Sequence, residues 1–420
     1  MDKTHVREQL KHNGTRLLAI LKWTVFSLLS GAAFGLIGAL FYRGIGWATT
    51  FRQSHYQVLF LLPVGAVVIR FLYHLLRDDK DGGTNLVLSA IHSGDRVPLR
   101  MSPLIIISTI FSHLVGASVG REGAALQLGG SIGDNIGRLL KFKERDRQVM
   151  VMVGMSGVFS ALFGTPIAAA VFSMEVVSVG IMHYAALMPC VLSAFTARAV
   201  ARYFGAPDAR FAIGEIPAFS LEGAWKIALL GVFCGLIAAL FCVCLHRGSA
   251  FFKGFIKNGY IRALVFGTIV LGLTFLVGDQ TYNGAGVDYI NACISGDDRP
   301  AGFLMKILFT VLSIIAGYKG GEIVPSFFIG ASFGCTFGKL FAFSPALCAA
   351  VGMGTVFCGV TNCPLSSFLI CCELFGFDGG LYFMPAIAFS YLFSGYSGLY
   401  SSQRIVFSKY RFNRRKTDDA

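Results

Sequence analysis

The stretch G-G-T-N-L-V-L-S-A-I-H-S-G-D-R-V-P, from Gly82 to Pro98, recurs without a gap as G-A-G-V-D-Y-I-N-A-C-I-S-G-D-D-R-P, from Gly284 to Pro300. Gly82, Ala90, Ser93, Gly94, Asp95 and Pro98 all meet identical residues in the second copy. Two further pairs follow in the same order. Gly120 to Ala125 (G-R-E-G-A-A) pairs with Gly320 to Pro325 (G-G-E-I-V-P), which sets Glu122 opposite Glu322. Gly154 to Glu175 pairs with Gly352 to Glu373, each ending F-G-T-P-I-A-A-A-V-F-S-M-E or V-T-N-C-P-L-S-S-F-L-I-C-C-E. Chance similarity between apolar segments would not keep order and spacing three times. Internal repeats of this length in a very apolar chain point to a transporter fold with its site between the two halves.

Composition agrees. Of 420 residues, 55% are hydrophobic and only 14% charged, where a soluble domain carries about 25% charged residues; mean hydropathy is +0.65. This is the composition of an all-α integral membrane protein. Apolar runs near 17–42, 57–76, 103–119, 149–177, 183–199, 227–245, 263–277, 303–317, 345–372 and 381–393 approach or exceed the roughly 20 residues of a spanning helix. Several are short or overlong, so tilted and broken helices are expected. The 50 glycines are scattered through these runs, as they are where helix backbones approach closely in lipid.

The first apolar run follows a basic start (Lys3, Arg7, Lys11, Arg16) and is too long for a signal-peptide core, so it reads as a retained helix. The end of the chain is basic as well, with Arg404, Lys409, Arg411, Arg414, Arg415 and Lys416. Both termini are therefore expected in the cytoplasm, and the net charge of +13 reflects topology and anionic headgroups rather than nucleic-acid binding. The 11 cysteines show no paired C-x-x-C and no histidine at metal spacing, and read as small hydrophobes between helices. The expected organisation is a basic N-terminus (1–20), a first membrane repeat (21–205), a second (222–400) and a basic tail (401–420), with no cytoplasmic regulatory domain of the CBS type.

A helix that starts inside the membrane aims free N–H groups and its positive dipole end at whatever lies there, and anions are its natural guests. The glycine-rich starts at Gly82-Gly83-Thr84-Asn85, Gly120-Arg121-Glu122-Gly123 and Gly320-Gly321-Glu322-Ile323-Val324-Pro325 suit that task; the alternative is that glycines merely let helices cross. Thr84 and Asn85 read equally as ordinary helix-start caps. Glu122 stands in S-V-G-R-E-G-A-A-L-Q-L-G-G, at membrane depth. A carboxylate there is costly and usually marks a proton or ion path; burial disfavours its charged form, so it can take up a proton when desolvated. The alternative is a surface ion pair with Arg121 in a loop. Glu322 has the same setting, while Glu175 and Glu373, at the ends of matching helices, read as partners of a helix end or of a neighbouring helix.

On these residues the chain resembles the CLC family of chloride channels and proton-coupled anion transporters. Gly120-Arg121-Glu122-Gly123 is similar to the family's G-R-E-G-P, whose Glu is gate and proton acceptor. Gly320 to Pro325 resembles the G-x-F-x-P filter, Phe163 to Glu175 resembles N-A-P-L-A-G-x-x-F-x-x-E, and Gly398-Leu399-Tyr400-Ser401 resembles the segment with the pore tyrosine. The resemblance spans about residues 20–405. It implies two inverted-topology repeats with broken helices, a homodimer with one anion path per subunit in the plasma (bacterial inner) membrane, and no cofactor or metal. It also implies gating and proton roles for Glu122 and Glu322. Gly82, Gly83, Thr84, Asn85, Gly120, Arg121, Gly123, Ile323, Val324, Pro325 and Tyr400 would bind the anion.

Three departures narrow the reading. The family's G-S-G-I-P is replaced within Gly82 to Val87, without Ser or Pro; the inner proton acceptor after Glu175 is Val176; and the filter Phe is Ile323, directly preceded by Glu322. Together they resemble the bacterial fluoride-transporting branch, which implies fluoride export in exchange for protons through Glu122. Fluoride is small and strongly hydrated, so its site must replace water with close donors, for which Thr84, Asn85, Tyr400 and the amides near Ile323 and Val324 are available. The nearest alternative is a chloride channel or chloride/proton antiporter of the same fold. A remote one is an intramembrane serine protease, since Gly154-Met155-Ser156-Gly157 matches a short nucleophile pattern and His183 could serve as base.

Overall fold

The computed structural model describes residues 3–76 and 82–411, with side chains from Arg16 onward. Arg414, Arg415 and Lys416 of the expected basic tail lie outside the described residues. Eight helices come from the first half of the chain: α1 (Lys3–Ser54), α2 (Leu62–Leu75), α3 (Gly83–Ser93), α4 (Met101–Val115), α5 (Glu122–Leu139), α6 (Glu144–Phe163), α7 (Pro166–Glu175) and α8 (Leu187–Tyr203). Eight come from the second: α9 (Leu221–Phe255), α10 (Gly259–Val277), α11 (Val287–Ile294), α12 (Gly302–Ala316), α13 (Ile323–Leu340), α14 (Pro345–Thr361), α15 (Pro364–Phe375) and α16 (Gly380–Phe393). The two series correspond one to one, and the repeat read from three segments extends over both halves. Among the described residues six helices, including Arg16–Ser54 and Leu221–Phe255, are long and apolar enough to cross a membrane.

The overlong apolar runs are broken, as expected, and at matching places. Residues 149–177 divide into α6 and α7 at Gly164, in the left-handed region at φ 75°, with Pro166 opening the second helix. Residues 345–372 divide into α14 and α15 at Asn362, at φ 58°, with Pro364 opening the second. Gly and Asn tolerate that backbone at helix ends, and Pro suits a first helical turn because its missing N–H would be unpaired there anyway. α5 and α13 are absent from the apolar runs of the sequence. α5 carries Gln127, Ser131 and Asp134, all buried, because it is surrounded by protein rather than lipid and small polar residues can be satisfied there.

Close approach of backbones holds these central helices. A side chain at Gly129 would strike the backbone of Gly154, and one at Gly330 the backbone of Gly352, so α5 crosses α6, and α13 crosses α14, at paired glycines. In a bilayer such contacts, not apolar burial, supply the association energy. The halves are tied to each other by two carboxylates. Glu175, ending α7, accepts N–H bonds from Leu365 (3.1 Å) and Ser366 (2.8 Å) and the Ser366 hydroxyl at the start of α15. Glu373, in α15, accepts from Ile167 (3.0 Å) and Ala168 (2.7 Å) at the start of α7. Each helix thus places an anion on the other's positive end, and the expectation of a partner-helix bond for both residues is met.

After α16 the chain turns back beneath α7 and α14. Leu399 N–H bonds to the Val360 carbonyl (2.8 Å), Gln403 Nε2 donates to the carbonyls of Val176 (3.0 Å) and Thr361 (2.8 Å), and Arg404–Ile405 pairs in parallel with Ser178–Val179. This segment fixes Tyr400.

Candidate functional site

The loops that open α5 and α13 meet head to head. Gly120 N–H donates to the Gly321 carbonyl (2.6 Å) and Gly321 N–H to the Gly120 carbonyl (2.8 Å), an isolated antiparallel bridge between the two repeats. Only glycine permits this spacing: a methyl at Gly320 would stand 2.6 Å from the Gly120 oxygen, and one at Gly123 would stand 3.0 Å from Gly321 Cα. The glycine-rich starts therefore do both things read from them, since they cross and they bring two helix N-termini together.

Glu122 lies at this crossing and is fully buried. Its Oε2 accepts from the Arg121 N–H (2.9 Å), and Oε1 lies 3.4 Å from Arg121 Nε without a hydrogen bond of its own. The amides of Glu122 and Val324 also face the carboxylate, so it occupies the place where the ends of α5 and α13 would hold an anion. The ion pair with Arg121 is present but buried, and the surface reading fails. Arg121 itself donates to the Leu162 carbonyl (3.3 Å) and stacks on Tyr42.

Two cavities approach the crossing and share no residue. One, of about 330 Å³, is lined by Gly82, Gly83, Thr84, Asn85, Gln127, Gly320, Gly321, Glu322 and Tyr400, with Arg70, Lys253, Arg262 and Lys319 around it. The other, of about 550 Å³, is lined by Arg52, His113, Arg121, Asn283, Gly286, Asp288 and Val324 among others. Glu122 stands between the Tyr400 cavity and the Arg52 cavity and lines neither.

The sequence-derived residues sort as follows. Tyr400 is 5% exposed and its hydroxyl has no protein partner, so it is free for a guest in the cavity. Glu322 faces the same space, and its Oε2 lies 3.6 Å from where a side chain on Gly123 would begin. Gly83 takes φ 56° and turns the chain into α3. Thr84 and Asn85 are not helix caps. Thr84 Oγ1 donates to the Gly123 carbonyl and accepts from Gln127 Nε2, both at 3.3 Å; Asn85 Oδ1 accepts from Ser402 N–H (3.0 Å), tying α3 to the Tyr400 segment. Ile323 and Pro325 are buried and line neither cavity, whereas Val324 borders the Arg52 cavity. Reading the sequence missed Gln127, whose Oε1 is buried without a partner. Its signal was a lone amide in the small-residue run after Glu122. Apart from Arg121, the cations of both cavities were missed too: Arg52, Arg70, Lys253 and Arg262 are scattered over α1, α2, α9 and α10, and Lys319 follows α12.

The protease constellation is absent. Ser156 is buried and its hydroxyl donates to the Cys190 carbonyl (2.7 Å), while His183 lines a separate cavity with Arg145 and Met152.

Residues 64–395 match the model of the voltage gated chloride channel family. The chain belongs to the CLC family. It is therefore a multi-pass membrane protein built on the CLC fold. This CLC protein is 36% identical over 398 residues to the "Chloride/fluoride channel protein" of Pseudomonas syringae pv. tomato, covering 93% of this chain and 88% of the relative. Among solved structures it resembles a CLC-type fluoride/proton antiporter with a TM-score of 0.89 and 29% identity, over 92% of this chain and 98% of the other. A slow cyanobacterial chloride/proton antiporter shares the fold at a TM-score of 0.78 and 18% identity, over 89% and 94% of the two chains.

Proposed function

We propose that this CLC protein moves fluoride out of the cell in exchange for protons, with Glu122 as gate and proton carrier. The observation that carries the reading is the pair of carboxylates at the bridge, Glu122 between the cavities and Glu322 beside Gly123. Ionised, Glu122 satisfies the amides of Arg121 and Val324 as an anion would. Once protonated it gives up that charge, and an incoming anion replaces it on the same N–H groups, so anion and proton cannot share the path independently. The Tyr400 hydroxyl, Thr84 and Gln127 are donors for an anion in the Tyr400 cavity. When protonated, Glu322 would add an O–H, a donor that suits small fluoride, a stronger base than chloride. The printed names of the 36% identical relative and of the antiporter structure support the choice of anion.

The orientation reading rests on charge. Lys22 pairs with Asp146 (2.7 Å), so the basic turn into α6, with Lys141, Lys143, Arg145 and Arg147, lies beside Lys22 of α1, and positive-inside bias puts that side in the cytoplasm. α3 leads from the Tyr400 cavity to this loop, where Arg147 meets the Gly94 carbonyl (3.5 Å). Arg52 is thirty residues beyond Lys22 along α1, about 45 Å at 1.5 Å per residue. The Tyr400 cavity is thus read as cytoplasmic and the Arg52 cavity as external, in the plasma membrane. A homodimer, with one path per subunit, completes the proposal.

The test is anion efflux from proteoliposomes loaded with fluoride or chloride, with internal pH recorded together. Fluoride efflux accompanied by proton uptake is expected. Equal chloride flux without proton movement would instead make this a chloride channel.

A further inference from the structure

The Arg52 cavity and the residues packed behind it hold an imbalance of charge that the path through Glu122 does not explain. Arg52 is 3% exposed and Lys306 is fully buried, yet neither pairs with a carboxylate among the described residues. Arg52 Nε donates to Gln280 Oε1 (2.9 Å) and Nη1 to the His113 carbonyl (2.8 Å). Lys306 Nζ donates to the carbonyls of Gly284 (2.8 Å) and Tyr282 (3.1 Å) and lies over the Phe328 ring. The two cations converge on one residue: Arg52 Nη1 would lie 2.8 Å from a side chain on Gly284, whose carbonyl accepts the Lys306 hydrogen bond. Among the described residues the only acid lining the cavity is Asp288, which acts on Arg52 from a distance without an ion pair and whose Oδ2 accepts from Gln53 (3.2 Å) at the exposed rim. Burying a cation without a paired counter-charge is costly, so an anion that balances these two would be stabilised there.

The backbone points the same way. Gly284–Gly286 is the repeat copy of Gly82–Thr84, the turn that lines the Tyr400 cavity, and its Ala285 and Gly286 line the Arg52 cavity at the start of the eight-residue α11. A second, independent observation is His113. It is 1% exposed and lines the cavity; Nδ1 faces the Thr109 carbonyl (2.9 Å) and so carries the proton, which leaves Nε2 a buried acceptor without a partner. A hydrated anion brings the water O–H that such an acceptor lacks, and 550 Å³ holds an anion with part of its shell.

We propose that the Arg52 cavity is a second anion site, distinct from the place occupied by Glu122, in which a hydrated monovalent anion lies against Arg52 and the Gly284–Gly286 turn with Lys306 behind it. The inference rests on the anion-transport reading. It makes this cavity a holding site that the anion occupies on the far side of the Glu122 gate.

The test is a 19F titration by NMR of sodium fluoride into the purified full-length protein in lipid nanodiscs, with gluconate as background anion. Wild type should show two saturable components. Lys306→Met should weaken one of them by at least about tenfold, equivalent to ~1.4 kcal/mol, while Lys306→Arg keeps it and Tyr400→Phe weakens only the other. Should Lys306→Met not give monodisperse protein, Arg52→Gln makes the same comparison. A single component in wild type, weakened by Tyr400→Phe and untouched by Lys306→Met or Arg52→Gln, would overturn the second site and leave anion transport standing. No saturable fluoride signal in wild type would overturn the transport reading, and the second site with it.

Discussion

Gly320→Ala isolates the bridge between the repeats. The added methyl would stand 2.6 Å from the Gly120 oxygen and 2.7 Å from Val119 Cβ, where ordinary contact begins at 3.4 Å. The loops must separate by about 0.8 Å to reach that contact. The two bridge hydrogen bonds, now 2.6 and 2.8 Å, would lengthen to about 3.4–3.6 Å, the limit beyond which they no longer count as bonds. At roughly 0.5–1.5 kcal/mol each, their loss costs about 1–3 kcal/mol, before any strain in the α5 and α13 starts. If that crossing positions the amides that hold Glu122 and the anion, fluoride efflux should fall by at least about tenfold. Gly272→Ala is the control, because nothing lies within 4 Å of its added methyl; in a helix interior it should be neutral or stabilising by up to about 1 kcal/mol. Both variants go into proteoliposomes at matched protein content, with efflux followed by a fluoride electrode. Efflux from Gly320→Ala within twofold of wild type would refute the claim that the bridge geometry sets the path.

Glu122→Gln should abolish proton movement while leaving anion flux, read by simultaneous pH and fluoride recording; coupled proton uptake in this variant would remove Glu122 from the mechanism. Tyr400→Phe should leave thermal stability unchanged, because its hydroxyl has no protein partner, yet weaken fluoride binding severalfold by 19F titration. Glu175→Ala, which strips three hydrogen bonds from the start of α15, should destabilise by about 3–5 kcal/mol given charge-assisted bonds near 1.5–3 kcal/mol and partial rehydration. Glu373→Ala, with two such bonds at a half-buried site, should cost about half as much in steric-trapping measurements of unfolding.

The fold was legible because it is written twice. Proline and glycine or asparagine at 164–166 and 362–364 break long apolar runs at matching places, and the acidic ends at Glu175 and Glu373 cap each other's helices. The site was legible where chemistry is costly at membrane depth, as for Glu122 and Glu322. What the sequence hid is polarity supplied by tertiary contacts. α5 has no apolar run, since its neighbours are helices and not lipid. Asn85, read as an anion ligand or cap, spends its side-chain oxygen on Ser402, a partner 317 residues away. Lys306 looks like an interruption in an apolar helix until the carbonyls of Tyr282 and Gly284 are seen around its ammonium; no local pattern announces such a pairing.

Obligatory exchange is the central claim, and uphill transport tests it most directly. Proteoliposomes clamped at zero membrane potential, with equal pH on both sides and fluoride inside only, would be monitored for internal pH. Coupling through Glu122 predicts that outward fluoride moves protons inward and acidifies the lumen beyond equilibrium, with the effect lost in Glu122→Gln. Fluoride escape with internal pH unchanged would contradict the account.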